Sequence, residues 1–525
     1  VALDAPGVPG ASEALGRTRR SAPLRSREAR GSDLRGLIGV AAAAILAVVA
    51  WLPFLDRPLS PDEGGFLLIA QQWHPGTSLY GSYWVDRPPL LLWLFSLAAH
   101  LGPIGHAATG VTAPTVKLLG AVASGLTVLL AGLVAQVVSP GVHWTRTATV
   151  VAAVALLSNP LLGMPEANGE VLALPFVLTG VGCLIAATRR PWGRDALLLT
   201  AAAGASGMAA ALVKQNVVDV YVFALILFLA SRRRLPDLGH RMCVFLASGA
   251  ALLGAALATA AVQGTTPTGL WDATVRFRLQ ASATIRSSAS TATPERLLHL
   301  GLAALASGVA VLLAIACLGA LRRSRGARGA RSPLVWAALG LAAWELCAVA
   351  LGGSYWLHYL TGLVPGALLL VMLAPASGRS RALLTGCLAY VVLASAVVWG
   401  QHAAAPDTVS DDGQVATYLR EHSDPADGVV VAFGHPDIVA ASGLHSPYEQ
   451  LWSLPVRVRD PRLTELGTVL TGPAAPRWVV VAGGSLDSWG LQATATQQVL
   501  EEHYVERTAY GDWHVWQHRP DGSDP

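Results

Sequence analysis

Apolar and polar residues come in long blocks along most of this chain. Runs of near twenty apolar residues recur between positions 37 and 400, and roughly that length lets an α-helix cross about 30 Å of hydrocarbon at about 1.5 Å per residue. The blocks predict eleven spans, at 37–55, 113–138, 147–162, 169–187, 195–213, 216–230, 242–262, 298–320, 334–351, 357–375 and 382–400. The short alternating segments of a membrane β-barrel do not recur. A polar tail precedes the first run, which therefore reads as a true span and not a cleaved signal peptide. The segment 88–101, PPLLLWLFSLAAHL, is short of a full crossing and reads as an interfacial or re-entrant helix. Beyond 401 the pattern changes. DGQVATYLREHSDPADGVVVAFG predicts helix, turn and strand, PRWVVVAGG a buried strand, and TATQQVLEEHYVERTAYGDWHVWQHR a helix followed by edge strands. The expected fold class is a polytopic α-helical membrane protein with a C-terminal extracytoplasmic α/β domain. Its parts are a disordered cytoplasmic tail at 1–35, a transmembrane module at 36–400 and a soluble domain at 401–525.

Composition agrees with this class: 53% of residues are hydrophobic and 13% are charged, the latter about half the share of a soluble domain. The placement of charge orients the chain. Basic clusters lie at 189–194 (RRPWGR), 231–241 (SRRRLPDLGHR), 321–331 (LRRSRGARGAR) and 377–381 (SGRSR), and seven arginines from Arg17 to Arg35 precede the first span. Basic loops stay cytoplasmic, so 56–112, 160–168, 263–297 and everything after 401 should face outward. If 88–101 crossed the membrane, all four later clusters would be on the wrong side. With 37 basic and 33 acidic residues, the balance gives no reason to expect nucleic acid as a partner. Cys183, Cys243, Cys317, Cys347 and Cys387 all fall in apolar runs with no CxxC spacing, as expected of small buried hydrophobes.

Ionisable residues kept at membrane depth are costly and mark function. Asp62 and Glu63 follow the first span in SPDEGGFLLIAQQW, ahead of Trp73, His74, Tyr80, Tyr83, Trp84, Asp86 and Arg87. Glu166, Asn168 and Glu170 precede a later span, Lys214, Gln215, Asn216 and Asp219 lie between two runs, and Tyr355, His358 and Tyr359 lie where two spans meet. The outer loop 263–297 adds Asp272, Arg276, Arg278 and Arg286, within LWDATVRFRLQ and just beyond it. Outer basic residues suit an anion such as a lipid-linked phosphate, whose oxygens match the arginine fork. Outer carboxylates above such a patch suit glycosyl transfer: a carboxylate takes the acceptor's proton and basic groups meet the charge on the leaving phosphate. Neither a dinucleotide-binding GxGxxG in its strand–helix context nor a Walker A motif occurs, as expected where no nucleotide is used.

The residues 37–365 resemble the GT-C superfamily of membrane glycosyltransferases, and in particular the family of protein O-mannosyltransferases and of the aminoarabinose transferases that modify lipid A. The likeness lies in PDEGG after the first span, in DRPPLLLW, in the looser MPEANGE, in ALVKQ and in LHYLTGLVPG. It implies Asp62 as catalytic base with Glu63 supporting it, and Glu166, Asn168 and Glu170 as sugar- or acceptor-positioning residues. It also implies Arg87, Lys214, Arg276, Arg278, His358 and Tyr359 as donor-phosphate contacts. Arg87 stands where the family has Lys or His, and the 166–170 acids depart from its usual Asp. The implied partners are a polyprenyl-phosphate sugar, membrane lipids and a glycan, lipid or protein acceptor. No cofactor is certain, though some members use a divalent metal. The setting implied is a bacterial plasma membrane of actinobacterial type. Trp452, Trp489, Trp513 and Trp516 are either sugar-stacking residues or core aromatics of the C-terminal domain. A transporter, or a non-catalytic subunit of glycan export or assembly, is the alternative. It is disfavoured by acids gathered at one face and by the absence of an internal hydropathy repeat.

Overall fold

In the computed structural model the described residues are 22–107, 110–287, 292–326, 332–375, 378–406, 409–487 and 491–519. The first helix, α1 (Ala22–Val49), begins inside the stretch read as polar tail. A short turn leads to α2 (Pro61–Gln72), whose start is written in SPDE. Ser60 accepts from the Glu63 N–H, Glu63 reaches back to the Ser60 N–H, and Pro61 opens the first turn. The Pro-Pro of DRPP then starts α3 (Pro89–Leu101), a helix of 13 residues, in place of a crossing. A two-stranded ribbon, β1 (Gly105–Ala107) with β2 (Gly110–Thr112), closes the first loop.

The bundle follows as α4 (Pro114–Val138), α5 (His143–Leu157), α6 (Gly169–Thr188), α7 (Arg194–Val213), α8 (Asp219–Ser231) and α9 (Leu238–Val262). After a turn at 263–266, the described part of 267–297 is helical: α10 (Pro267–Trp271), a wider π turn at Asp272–Arg276, α11 (Phe277–Ser287), and the start of α12 (Ala292–Ala306). After α13 (Val309–Gly326), α14 (Pro333–Leu351), α15 (Val364–Leu373) and α16 (Gly378–Ala404), the chain leaves the bundle. Helix α4 packs on α1, α5 and α6, α7 on α6 and α9, and α14 on α8 and α15.

Among the described residues, seven helices are long and apolar enough to cross a membrane, or eight if the pair Thr293–Ala306 and Val309–Arg322, bent by 61°, is one span. Of the eleven expected segments, three form shorter helices: α5, α8 and the apolar stretch Leu357–Leu373. Helix α8 has 13 residues, about 20 Å of rise, less than the hydrocarbon thickness. All three still run between the two ends of the bundle. At one end Arg189 donates to the carbonyls of Val137 and Val138, Arg241 to those of Ala187 and Arg190, and Ser139 to that of Met372. Arg381 lies over Trp144, and Gly319 of α13 lies against Ala374. The basic clusters at 189–194, 231–241 and 377–381 therefore share one end, which the described start of the 321–331 cluster joins. Of the five cysteines read as buried, Cys387 is buried and Cys183 and Cys317 are half-buried, whereas Cys243 and Cys347 depart from that reading and are exposed on helix surfaces, a position that costs little where the neighbour is lipid.

The opposite end carries the C-terminal domain. Its elements are α17 (Asp411–His422), β3 (Val429–Ala432), α18 (Pro436–Ser442), α19 (Ser453–Arg459), α20 (Thr464–Thr471), β4 (Trp478–Ala482), α21 (Thr494–His503), β5 (Tyr504–Tyr510) and β6 (Trp513–His518). The strand order is β3-β4-β6-β5, with β3 parallel to β4 and the other pairings antiparallel. Only β5 of the last two strands is an edge strand, because β6 inserts between it and β4. The continuous apolar runs VVVA and WVVVA form the strands with both faces covered.

Candidate functional site at the bundle end

The site is assembled at the end opposite the basic clusters. In α2 the acid pair sits at the second and third helical positions, where carboxylates are favoured by the helix dipole. Adjacent residues on a helix project in different directions, and the two acids meet different surroundings. Glu63 is 1% exposed. Its Oε2 accepts from Lys117 Nζ at 2.6 Å and from Ser60 N at 2.9 Å, and its Oε1 accepts from Ala167 N at 2.8 Å. This carboxylate ties α2, α4 and the 160–168 turn together. Asp62 is half-buried and accepts one bond from the described residues, from Trp452 Nε1 at 2.9 Å to its Oδ1.

Trp452 belongs to the C-terminal domain, which docks on α2 through the glycines of DEGG. A Cβ at Gly64 would lie 2.9 Å from the Asp437 Cα, and one at Gly65 would lie 2.3 Å from the Trp452 ring and 2.7 Å from Pro436. The first loop is joined to the same domain elsewhere. Trp84 N donates to Glu449 O, Ser446 N donates to the Tyr83 hydroxyl, and Arg459 lies over the Trp84 ring.

Asp86 connects the basic residues. Its carboxylate receives Arg87 at 2.7 Å on one oxygen and Arg278 at 2.6 Å on the other, while Gln215 donates to its backbone carbonyl. Two guanidinium groups share one carboxylate, which leaves one positive charge in excess. The Asp86 and Asp62 carboxylates raise the Arg87 pKa against the effect of its burial. Lys214 instead pairs with Glu170 and lies 4.9 Å from the Tyr359 ring centre. His358 stands between Glu166 and Glu170, 3.9 and 4.0 Å from their carboxylate oxygens. It is brought there by Gly163, whose φ of +94° turns the 160–163 segment against the His358 backbone. Burial, aided by the Glu63 charge and opposed by Lys117, pushes the Glu166 carboxyl up to about 7. Glu170 Oε2 has no hydrogen-bond partner among the described residues.

The structure thus brings together Asp62, Glu63, Arg87, Glu166, Glu170, Lys214, Arg278, His358 and Tyr359. Asn168 caps α6 by accepting from Val171 N at 3.0 Å, which makes it a structural member of the site. Arg276 stays outside, with a side chain 68% exposed beside Asp272, and Arg286 is exposed on α11. Asp219 is buried away from the cluster and hydrogen-bonds Glu345 of α14, whose carboxylate accepts from Gly366 N. Of the tryptophans, Trp452 faces the site, Trp513 is buried in the domain, Trp516 is half-buried, and Trp489 lies outside the described residues. Lys117 and the bridging role of Asp86 were missed. A lysine inside the apolar run PTVKLLG was the available signal. In the C-terminal domain, Asp412, His435 and Asp437 offer ligand atoms within 4.8 Å of one another, a set compatible with a divalent metal.

No family model matches this chain, and no curated protein matches it in sequence. Solved structures share its shape. The crystal structure of ArnT from Cupriavidus metallidurans bound to undecaprenyl phosphate aligns with a TM-score of 0.61 at 14% identity, covering 93% of this chain and 99% of that one. The same protein in the apo state aligns at 0.59 and 12%, over 93% and 98%. The Archaeoglobus fulgidus oligosaccharyltransferase in complex with zinc and sulfate aligns at 0.55 and 14%, over 89% of this chain and 71% of its own. At these identities the likeness is one of architecture: this chain shares the overall fold of these membrane proteins.

Proposed function

We propose that the chain is an inverting glycosyltransferase that moves a sugar from a polyprenyl phosphate to an acceptor hydroxyl on the outer face of the membrane. The observation that carries this reading is the placement of a half-buried carboxylate, Asp62, at the same bundle end as the net-positive Arg87–Asp86–Arg278 group. In one displacement, Asp62 takes the acceptor's proton as its oxygen bonds to the anomeric carbon. The bond from that carbon to the phosphate oxygen breaks on the opposite face, and the phosphate leaves with the electron pair. Arg87 and Arg278 stabilise the charge that develops there. Attack opposite the leaving group inverts the anomeric centre. The GT-C architecture, and a structural counterpart holding undecaprenyl phosphate, support the donor class.

Lys214 is the weaker phosphate candidate, because Glu170 already neutralises it. Replacing Arg87 or Arg278 by Gln should weaken binding of a polyprenyl-phosphate sugar about tenfold to a hundredfold, the effect of losing a charge-assisted hydrogen bond of about 1.5–3 kcal/mol. Direct binding to detergent-purified protein measures this, and unchanged affinity in both variants would remove the phosphate role.

The reading requires the site end to face outward. After replacement of the five native cysteines, a single cysteine at position 280 should react with an impermeant reagent added to intact cells, and one at position 235 should not. The reverse pattern would place the site on the cytoplasmic face.

A further inference from the structure

Asp412 at the start of α17, and His435 and Asp437 beside the start of α18, converge on the surface of the C-terminal domain that meets α2. His435 Nδ1 lies 3.4 Å from Asp412 Oδ2 and 3.6 Å from Asp437 Oδ1. These separations exceed a good N–H···O bond. Two ligands each about 2.0–2.2 Å from a zinc ion, at a tetrahedral angle, lie about 3.3–3.6 Å apart. His435 Nδ1 and Asp437 Oδ1 are both buried atoms without a hydrogen-bond partner among the described residues. The other Asp412 oxygen is held by Trp513 Nε1 at 2.6 Å, and the Trp513 ring packs edge-on against the imidazole at 4.9 Å. The carboxylate and the imidazole are thus already oriented by a second layer of contacts, as in built metal sites. The side chains are 30%, 35% and 16% exposed for Asp412, His435 and Asp437, so an ion has a way in.

We propose that Asp412, His435 and Asp437 bind one divalent transition-metal ion of the zinc type, which pins α18 and thereby the C-terminal domain on α2. One imidazole nitrogen and two carboxylate oxygens suit such an ion, with water in the remaining position. The ion's mechanical consequence follows from the docking: the Asp437 backbone sits on Gly64, and Pro436 and Trp452 sit on Gly65. The site lies in the C-terminal domain and stands independently of the sugar-transfer reading.

The test uses the full chain, purified in detergent, stripped with a chelator and titrated with Co²⁺ and Zn²⁺. Expected are one equivalent of bound ion, visible d–d absorption for Co²⁺, displacement by Zn²⁺ and a raised melting temperature. His435→Gln and Asp437→Asn should each weaken binding at least about tenfold, the lower limit seen when even supporting contacts are lost. Both should leave the melting temperature of the stripped protein within a few degrees of native. No cobalt spectrum from the native chain, or a spectrum that both substitutions leave intact, overturns the site. A protonated His435 between two carboxylates would then account for the cluster.

Discussion

Asp62→Asn yields a folded protein that binds the polyprenyl-phosphate donor with native affinity and transfers sugar about a hundredfold or more slowly, the scale of a lost general base. The substitution is clean because of what Asp62 touches. Its Oδ1 accepts from the Trp452 indole, and an Asn carbonyl oxygen accepts the same bond, so the seat of the C-terminal domain on α2 is kept. Only the basicity is removed. Sugar transfer at saturating donor, measured beside donor binding, separates the two properties. Near-native turnover by Asp62→Asn would show that the base lies elsewhere, with Glu166 and Glu170 the nearest alternatives, and would leave the phosphate contacts to be judged on their own.

Glu63→Gln is expected to act on stability before it acts on chemistry. Glu63 and Lys117 are 1% and 2% exposed and bond each other at 2.6 Å. Removing one partner of a buried pair leaves the other charge without compensation, at a cost of about 3–5 kcal/mol. The carboxylate also accepts the Ser60 and Ala167 amides, and a Gln, with one acceptor oxygen in place of two, cannot serve both sides, so the tie between α2, Lys117 and the 160–168 turn is weakened. Lys117→Met should destabilise by a similar amount. The double variant Glu63→Gln/Lys117→Met should be markedly more stable than the two single costs added together, because it leaves no stranded charge. Thermal unfolding in detergent gives all four corners of the cycle. A Glu63→Gln protein with native melting and no turnover would instead make Glu63 a reacting group.

Some of this site could be read along the chain and some could not. The acid pair after the first span and the arginine of DRPP are each visible within a dozen residues, and so is the capping pattern of SPDE, because a helix start is a local event. The partner that neutralises Glu63 lies 54 residues on, and the donor to Asp62 lies 390 residues on. No local pattern links them. Arg276 and Arg278 are indistinguishable in RFRLQ, yet they differ in role because the helical turn at 272–287 sends one toward Asp86 and the other to the surface. The two glycines after Asp62-Glu63 carry no side chain to interpret, and only the approach of Trp452 and Asp437 explains them.

What the sequence alone determined was the membrane class, the approximate positions of most helices, the gathering of basic loops at one end, and the change near residue 401 from long apolar runs to short helix and strand patterns. These rest on additive local properties: an apolar run either has the length to sit in hydrocarbon or it has not, and strand and helix periods show within ten residues. The tertiary structure decided which charges are neutralised and which are left over. It set Lys117 against Glu63 and Lys214 against Glu170, made Asp86 the hub of two arginines, and drew Asp412, His435 and Asp437 into one cluster. The physical reason is that electrostatic pairing depends on separations of a few ångströms between side chains on different helices, and those separations exist only once the helices and the C-terminal domain have packed.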